Sequence, residues 1–355
     1  MQIMTMPTTM KAAVLVGQRE PLVIADVALP SALLPGQVLV KVHCSGICGS
    51  QLGEIDGAKG ADKFLPHLLG HEGSGTVVEI GPTVRHVKTG DKVVLHWRKG
   101  LGIEASPPQY QWNGKVVNAG WITTFNEYAI VAENRVTPIP ADSDMDVAAL
   151  FGCAVTTGFG VVVNNAKVKI GESVVVYGAG GVGLNIVQAA ALAGAHPVIA
   201  VDLHDNKLKL AKSMGATHLI NAAKTDAQQA VLEIAGPAGV DVFVDNTGVP
   251  AVIELGYQIT KPQGRVTLVG VPRKDQNISI HSLPLHFGKE IKGSHGGEAI
   301  PHEDIPRYHS MYRSGRIKLK ELVTDSFPLD EINTAIRKMR DGTLAGRCLI
   351  RMAGD

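Results

Sequence analysis

The sequence predicts an α/β protein of two domains, a β-rich unit interrupted by a doubly wound parallel-sheet unit. Three observations lead there: the length, a change of texture near Ala154, and a glycine cluster set between two apolar runs. At 355 residues the chain exceeds the size at which one hydrophobic core keeps growing. Before about residue 150, short apolar runs such as Ala12–Val16, Val38–Val42, Gly75–Ile80 and Asp91–Leu95 are separated by Gly and Pro, and read as strands. Beyond Ala154, apolar strands alternate with helical stretches: Val174–Tyr177, Val182–Leu192, Val198–Val201, Lys207–Met214, His218–Ile220. With Asp241–Asp245 and Gly264–Gly270 this makes a βαβ series, hence a parallel sheet covered on both faces. A helical stretch at Leu329–Met339 and a strand at Arg347–Met352 read as the chain returning to the first unit. The expected domains are 1–154 with 296–355, and 155–295.

Composition narrows the partners. Apolar residues make up 45% and charged residues 19%, as in a globular protein with a large core. A net charge of +1 gives no reason to expect nucleic acid or an anionic membrane. Four cysteines are too few for a disulfide framework, and a reducing cytosol would leave their thiolates free for metal. Met1–Pro7 lacks the charged and apolar regions of a signal peptide, so a cytoplasmic location is expected. Ser173–Val201 contains no Asp, Glu, Lys or Arg and is long enough to span a bilayer. Its leading glycines and Pro197 make it a strand, loop, buried helix and strand instead, so no membrane partner is expected.

The cofactor reading rests on Gly178-Ala179-Gly180-Gly181-Val182-Gly183, placed between a strand and a helix. Gly178 makes the turn, Gly180 lets backbone approach a pyrophosphate, and Gly183 allows close helix–strand packing. The helix start, at Gly181 and Val182, offers free N–H groups and partial positive charge to phosphate. Asp202 ends the following apolar run, at the distance of an acid that binds a ribose 2′-hydroxyl. Its charge would repel a 2′-phosphate, which favours NAD(H) over NADP(H).

The metal reading rests on Cys48, His71 and Cys153, each beside a glycine. Two thiolates and an imidazole suit Zn²⁺, and three protein ligands leave one position open, as a catalytic ion requires. Cys44 and Cys348 lie inside apolar runs and read as small buried side chains.

Gly46–Ser50, Gly70–Gly75, Gly90–Val93, Gly152–Gly158, Gly178–Gly183, Val269–Pro272 and Gly346-Arg347, in this order and spacing, resemble the zinc-dependent medium-chain alcohol and polyol dehydrogenases. The resemblance covers nearly the whole chain. It implies a GroES-like catalytic domain interrupted by a Rossmann domain, with the active site in the cleft between them. It further implies that Cys48, His71 and Cys153 bind a catalytic zinc, with Glu72 an alternative ligand. By the same resemblance Ser50 hydrogen-bonds the substrate oxygen. Lys207, Thr247, Val269, Val271 and Arg347 join the cofactor set, Arg347 at the pyrophosphate and the valines against the nicotinamide. A homodimer or homotetramer is expected.

The chain departs from that family in three places. Leu95–Ala129 holds no cysteine, so no structural zinc is expected. Its His96, Trp97, Tyr110, Trp112 and Trp121 read either as an aromatic mini-core or as a substrate wall, with Trp97 the better pocket candidate. Gln51 replaces the Asp that usually holds the ligand histidine, supplying a hydrogen bond without a charge. Gly53 stands where a relay histidine is common.

Together these features predict reversible, zinc- and NAD-dependent oxidation of a primary or secondary alcohol to its carbonyl. A polar pocket of Gln51, His96 and Asn118 would favour a polyol, sugar or cyclitol. Trp97 and Trp121 would favour a flatter, more apolar alcohol, and oxidation of a glutathione adduct is a third option, disfavoured because the structural-zinc loop typical of such relatives is missing. The competing readings are a zinc-free quinone or enone reductase of the same fold, and a non-catalytic dinucleotide-binding scaffold.

Overall fold

The computed structural model describes residues 6–352. The chain forms two compact units. The first runs through Cys153 and resumes over Ile300–Asp341 and from Arg347 on, and the second comprises Ala154–Ala299 and Gly342–Gly346.

The first unit is built from the short strands that Gly and Pro punctuate. Thr9–Leu15, Val23–Ala28, Gln109–Trp112, Lys115–Asn118 and His67–Leu68 close into a barrel. Met10, Val14, Leu39, Tyr110 and Ile130 fill its core, with Trp112 packed at the margin. Closure removes the unpaired strand edges that would otherwise invite association. Beside the barrel, a seven-stranded sheet runs Val136–Pro138, Lys92–His96, Glu72–Ile80, Gln37–Gly46, Arg347–Arg351, Val323–Pro328, with Tyr128–Ala132 also on Gln37–Gly46. The chain's last strand thus lies antiparallel to Gln37–Gly46, pairing Leu349 with Gly46. Cys44 lies in that sheet and is no metal ligand. Its Sγ meets Ser74 Oγ and Met145 O, each at 3.4 Å, and burial pushes the thiol up to about 12.

The second unit is a six-stranded parallel sheet ordered His218–Asn221, Val198–Asp202, Val174–Tyr177, Val240–Asp245, Thr260–Leu268, Glu290–Gly293. Its first strand in the chain, Val174–Tyr177, sits third, where the strand order reverses. That reversal is where open parallel sheets open a crevice for ligands. Val174, Val175 and Val176 are fully buried, as expected of a strand covered on both faces. Among the described residues, no helix is long and apolar enough to cross a membrane.

Two short stretches expected in the first domain group with the second unit instead, 296–299 and 342–346. Tertiary hydrogen bonds explain both. Asn164 Nδ2 donates to Gly297 O at 2.8 Å, and Asn206 Nδ2 donates to Thr343 O at 3.2 Å. Gly346 also forms a parallel bridge with Gly180.

Candidate active site

Three separate local structures deliver the three donors of the first unit. Cys48 is the N-cap of the Gly49–Ile55 helix, and Gln51 closes a capping box on it. His71 follows Gly70, whose φ of +96° is a conformation side-chain-bearing residues rarely adopt. A Cβ at Gly70 would also lie 2.8 Å from the Thr124 and Phe125 backbone nitrogens. Cys153 comes from the turn after the Met145–Leu150 helix, which Asp144 caps by accepting from Asp146 N and Val147 N. Gly152 lets that turn lie against Glu72, since a Cβ there would stand 2.9 Å from Glu72 Cα.

The result is a cluster in which one ligand atom each from Cys48, His71 and Cys153 lies within 4.8 Å of the others. Among the described residues it is the one grouping of three or more His, Cys, Asp or Glu donors close enough to share an ion. His71 Nε2 and Ser50 Oγ are both buried without a hydrogen-bond partner. Burial of an unpaired nitrogen is costly unless something completes it. Soft sulfurs beside a buried imidazole nitrogen fit Zn²⁺.

The hydrogen bond from Cys153 holds the Cys48 sulfur well below the ordinary thiol range, with Arg347 and His71 adding to the effect. Donating that bond, together with burial, holds Cys153 well above it. Behind the sulfurs, Arg347 Nη2 pairs with Glu72 Oε1 at 2.6 Å, both side chains almost completely buried. Arg347 also donates to Ile47 O at 3.0 Å. Burial opposes its charge, yet Glu72 and the two cysteine sulfurs hold the guanidinium above its usual value. Glu72 is thus an ion-pair partner at the centre, outside the three-donor cluster. Gln51 is buried too. Its Oε1 accepts from Cys48 N at 2.9 Å, and its Nε2 meets His71 Nδ1.

The aromatic segment separates into three fates. Trp97 lies beside His71, with ring centroids 6.5 Å apart. Tyr110 is in the barrel core, its hydroxyl accepting from Ile130 N at 3.1 Å. Trp121 does not wall a pocket in the protein interior. It is 52% exposed and lies under the Arg135 guanidinium at 5.5 Å.

His96 is not a pocket residue either. Its Nδ1 contacts Arg98 O at 2.8 Å and its Nε2 contacts Thr137 Oγ1 at 2.9 Å. Burial drives its pKa down to about 4. Asn118 Nδ2 is likewise spent on Phe64 O at 2.7 Å. Of the polar trio expected to bind a polyol, Gln51 and His96 are engaged at both ends within the protein, and Asn118 at its amide nitrogen.

In the second unit, Gly178 adopts φ +97° directly after the Val174–Tyr177 strand, and Gly180 caps the Gly181–Leu192 helix. A methyl group at Gly183 would run into the Gly178 carbonyl oxygen. No side chain caps the Gly181–Leu192 helix, so its first N–H groups have no side-chain acceptor. Asp202 Oδ2 accepts from Ala179 N at 2.8 Å and its Oδ1 from His204 N at 3.0 Å, which ties the acid to the loop. Thr247 stands against Gly178, its hydroxyl donating to Asp245 Oδ1 at 2.6 Å. Val269 N bonds Asp245 O at 2.8 Å, while Val271 is exposed. Lys207 lies in the first turns of the Asp205–Ser213 helix.

Asp245 itself was absent from the sequence-derived set. Burial raises its pKa, and its carboxylate organises the turn through Thr247 and Gly248. Its signal was available in Asp245-Asn246-Thr247-Gly248, a turn-forming run at a strand end.

Fold and centre together define a two-unit oxidoreductase with a Cys/His/Cys metal centre and a dinucleotide loop. The comparisons agree. Residues 34–141 match the alcohol dehydrogenase GroES-like domain family, and residues 181–313 the zinc-binding dehydrogenase family. The S-(hydroxymethyl)glutathione dehydrogenase of Paracoccus denitrificans is 32% identical, over 94% of this chain and 97% of that protein. Alcohol dehydrogenase 6 of Peromyscus maniculatus is 32% identical, over 96% of this chain and 97% of that one. Among solved structures, benzyl alcohol dehydrogenase from Acinetobacter calcoaceticus superposes with a TM-score of 0.88 at 30% identity, covering 98% of this chain and 100% of that one. The chain belongs to the zinc-dependent medium-chain alcohol dehydrogenase family, with a GroES-like domain and a Rossmann domain.

Proposed function

We propose that this enzyme oxidises a flat, largely apolar primary or secondary alcohol to its aldehyde or ketone, with NAD⁺ and one zinc ion per chain. The observation that carries this reading is the clustering of the Cys48, His71 and Cys153 donors within 4.8 Å around a buried, unpartnered imidazole nitrogen. Zinc supplies Lewis acidity that lowers the pKa of an alcohol, and NAD⁺ supplies the hydride acceptor.

The chain's own residues do the rest. Ser50 Oγ, buried and unpartnered two residues after Cys48, takes the hydroxyl proton as a general base that passes it outward. Gln51 holds His71, and Arg347 holds the Glu72 carboxylate away from the three donors. In the second unit, the N–H groups at Gly181, Val182 and Gly183 bind pyrophosphate, and Asp202 selects a free ribose 2′-hydroxyl. Lys207, Thr247, Val269 and Val271 complete the cofactor contacts, whereas Arg347, expected at the pyrophosphate, is buried and spent on Glu72 and Ile47 O.

An apolar alcohol is preferred to a polyol because Trp97 stands beside His71, while both polar ends of Gln51 and both ring nitrogens of His96 are engaged within the protein. The edge strand Glu290–Gly293 supports a homodimer. It closes one side of the parallel sheet unpaired, and Leu283, Leu285 and the 68% exposed Phe287 precede it.

Chelation tests the reaction. NAD-linked oxidation of benzyl alcohol should vanish when metal is removed and return with added zinc, and full turnover by metal-free protein would refute it. In a panel of benzyl alcohol, a hexitol and S-(hydroxymethyl)glutathione, the first should show the highest kcat/KM.

A further inference from the structure

Gln51 meets the Cys48 backbone N–H and His71 Nδ1 with one oxygen and one NH₂ group. The Cys48 backbone N–H can only donate, so the Gln51 atom 2.9 Å from it is oxygen. The amide NH₂ is thereby left facing His71 Nδ1. An NH₂ group donates, so Nδ1 must accept. A neutral imidazole carries a single ring proton, and here that proton falls on Nε2. Yet Nε2 is the buried, unpartnered nitrogen of the cluster, with Nδ1 already engaged. Ligation of a metal needs a lone pair on that nitrogen, and hence the proton on Nδ1.

We propose that Gln51 is a positioning residue whose amide turns over when metal loads. In the metal-free protein its oxygen caps Cys48 and its NH₂ holds Nδ1. In the loaded protein its oxygen accepts from Nδ1–H and the Cys48 N–H loses its acceptor. The amide cannot serve the helix start and the ligating tautomer together, because it offers one oxygen where a carboxylate offers two. The centre therefore holds zinc less tightly than the same three ligands would with an acid at position 51. This inference rests on the proposed metal centre and adds to it a cost located in one side chain.

Long-range ¹H–¹⁵N correlation of the full chain labelled with ¹⁵N-histidine decides the matter, with His71 assigned by its absence in His71→Asn. The chelator-stripped protein, its fold checked by NADH binding, should carry the His71 proton on Nε2, and the zinc-loaded protein on Nδ1. A proton on Nδ1 in both states overturns the proposal, as does a loaded ring lacking the Nδ1 proton. Gln51→Glu keeps the shape and adds the second acceptor. Competition with a chromophoric chelator should show zinc bound about 10- to 100-fold more tightly in this variant, with Nδ1 protonated even when stripped. Equal affinity and an unchanged tautomer also overturn it. If the wild type binds no zinc at all, the proposed function fails first. Binding with Nδ1 protonated throughout defeats only the role of Gln51.

Discussion

The Cys/His/Cys cluster and the glycine loop are built by opposite means. The centre gathers side chains from residues 48, 71 and 153, backs them with a buried ion pair, and leaves one nitrogen unpartnered. The loop is a contiguous run whose working parts are backbone N–H groups and the absence of side chains. The first should fail when a side chain is removed, and the second when one is added. Substitutions in each can therefore separate metal chemistry from dinucleotide binding.

The largest effect is expected at the centre. Cys48→Ser removes one of the three proposed zinc ligands, and losing the several kcal/mol of Lewis-acid stabilisation should lower kcat/KM by about 10³-fold or more. NADH binding, followed by fluorescence, should stay within about twofold of the wild type. Loss of both together would show that the two regions are not independent.

Next comes the ion pair. Arg347→Met strands the Glu72 carboxylate near two sulfurs, and breaking one side of a buried pair costs about 3–5 kcal/mol in denaturant unfolding. Adding Glu72→Gln should recover most of that loss.

A third effect sharpens the contrast within the first unit. His96 is neutral when folded, with a pKa of about 4 against an ordinary 6.5. Between those values the unfolded chain binds the extra proton, so stability is complete above pH 6.5 and falls as acid is added. The slope is about 1.4 kcal/mol per pH unit, or about 3 kcal/mol over the whole window. His96→Gln should flatten that part of the urea-unfolding pH profile.

The smallest effect is in the loop. Gly183→Ala places a methyl against the Gly178 carbonyl, at an overpacking cost of about 1–3 kcal/mol. NADH should bind about 10- to 100-fold more weakly, with zinc content unchanged by metal analysis.

These differences also explain what could be read without coordinates. The Gly178–Asp202 segment is local, so its glycine spacing, flanking strands and terminal acid all stand within one stretch of sequence. The parallel sheet followed from the same periodicity. Cys48, His71 and Cys153 were legible only through their glycine-flanked segments and the family resemblance, because no spacing rule brings three distant positions together.

His96 was misread because its partners, Arg98 O and Thr137 Oγ1, are set by the pairing of Lys92–His96 with Val136–Pro138. Trp121 was misread because nothing in the sequence shows that Arg135 would cover it. The double duty of Gln51 had a visible trace. It stands three residues after the cap, the position from which a Gln reaches back to a helix start.

The segment Gly342–Gly346 has a practical consequence for anyone building chimaeras. A graft that transplants 154–299 from this enzyme into a relative leaves behind the five residues whose Gly346 lies alongside Gly180. The transplanted module would then meet a foreign tail at its cofactor loop. Carrying those five residues across with it should decide whether such a hybrid still grips its coenzyme.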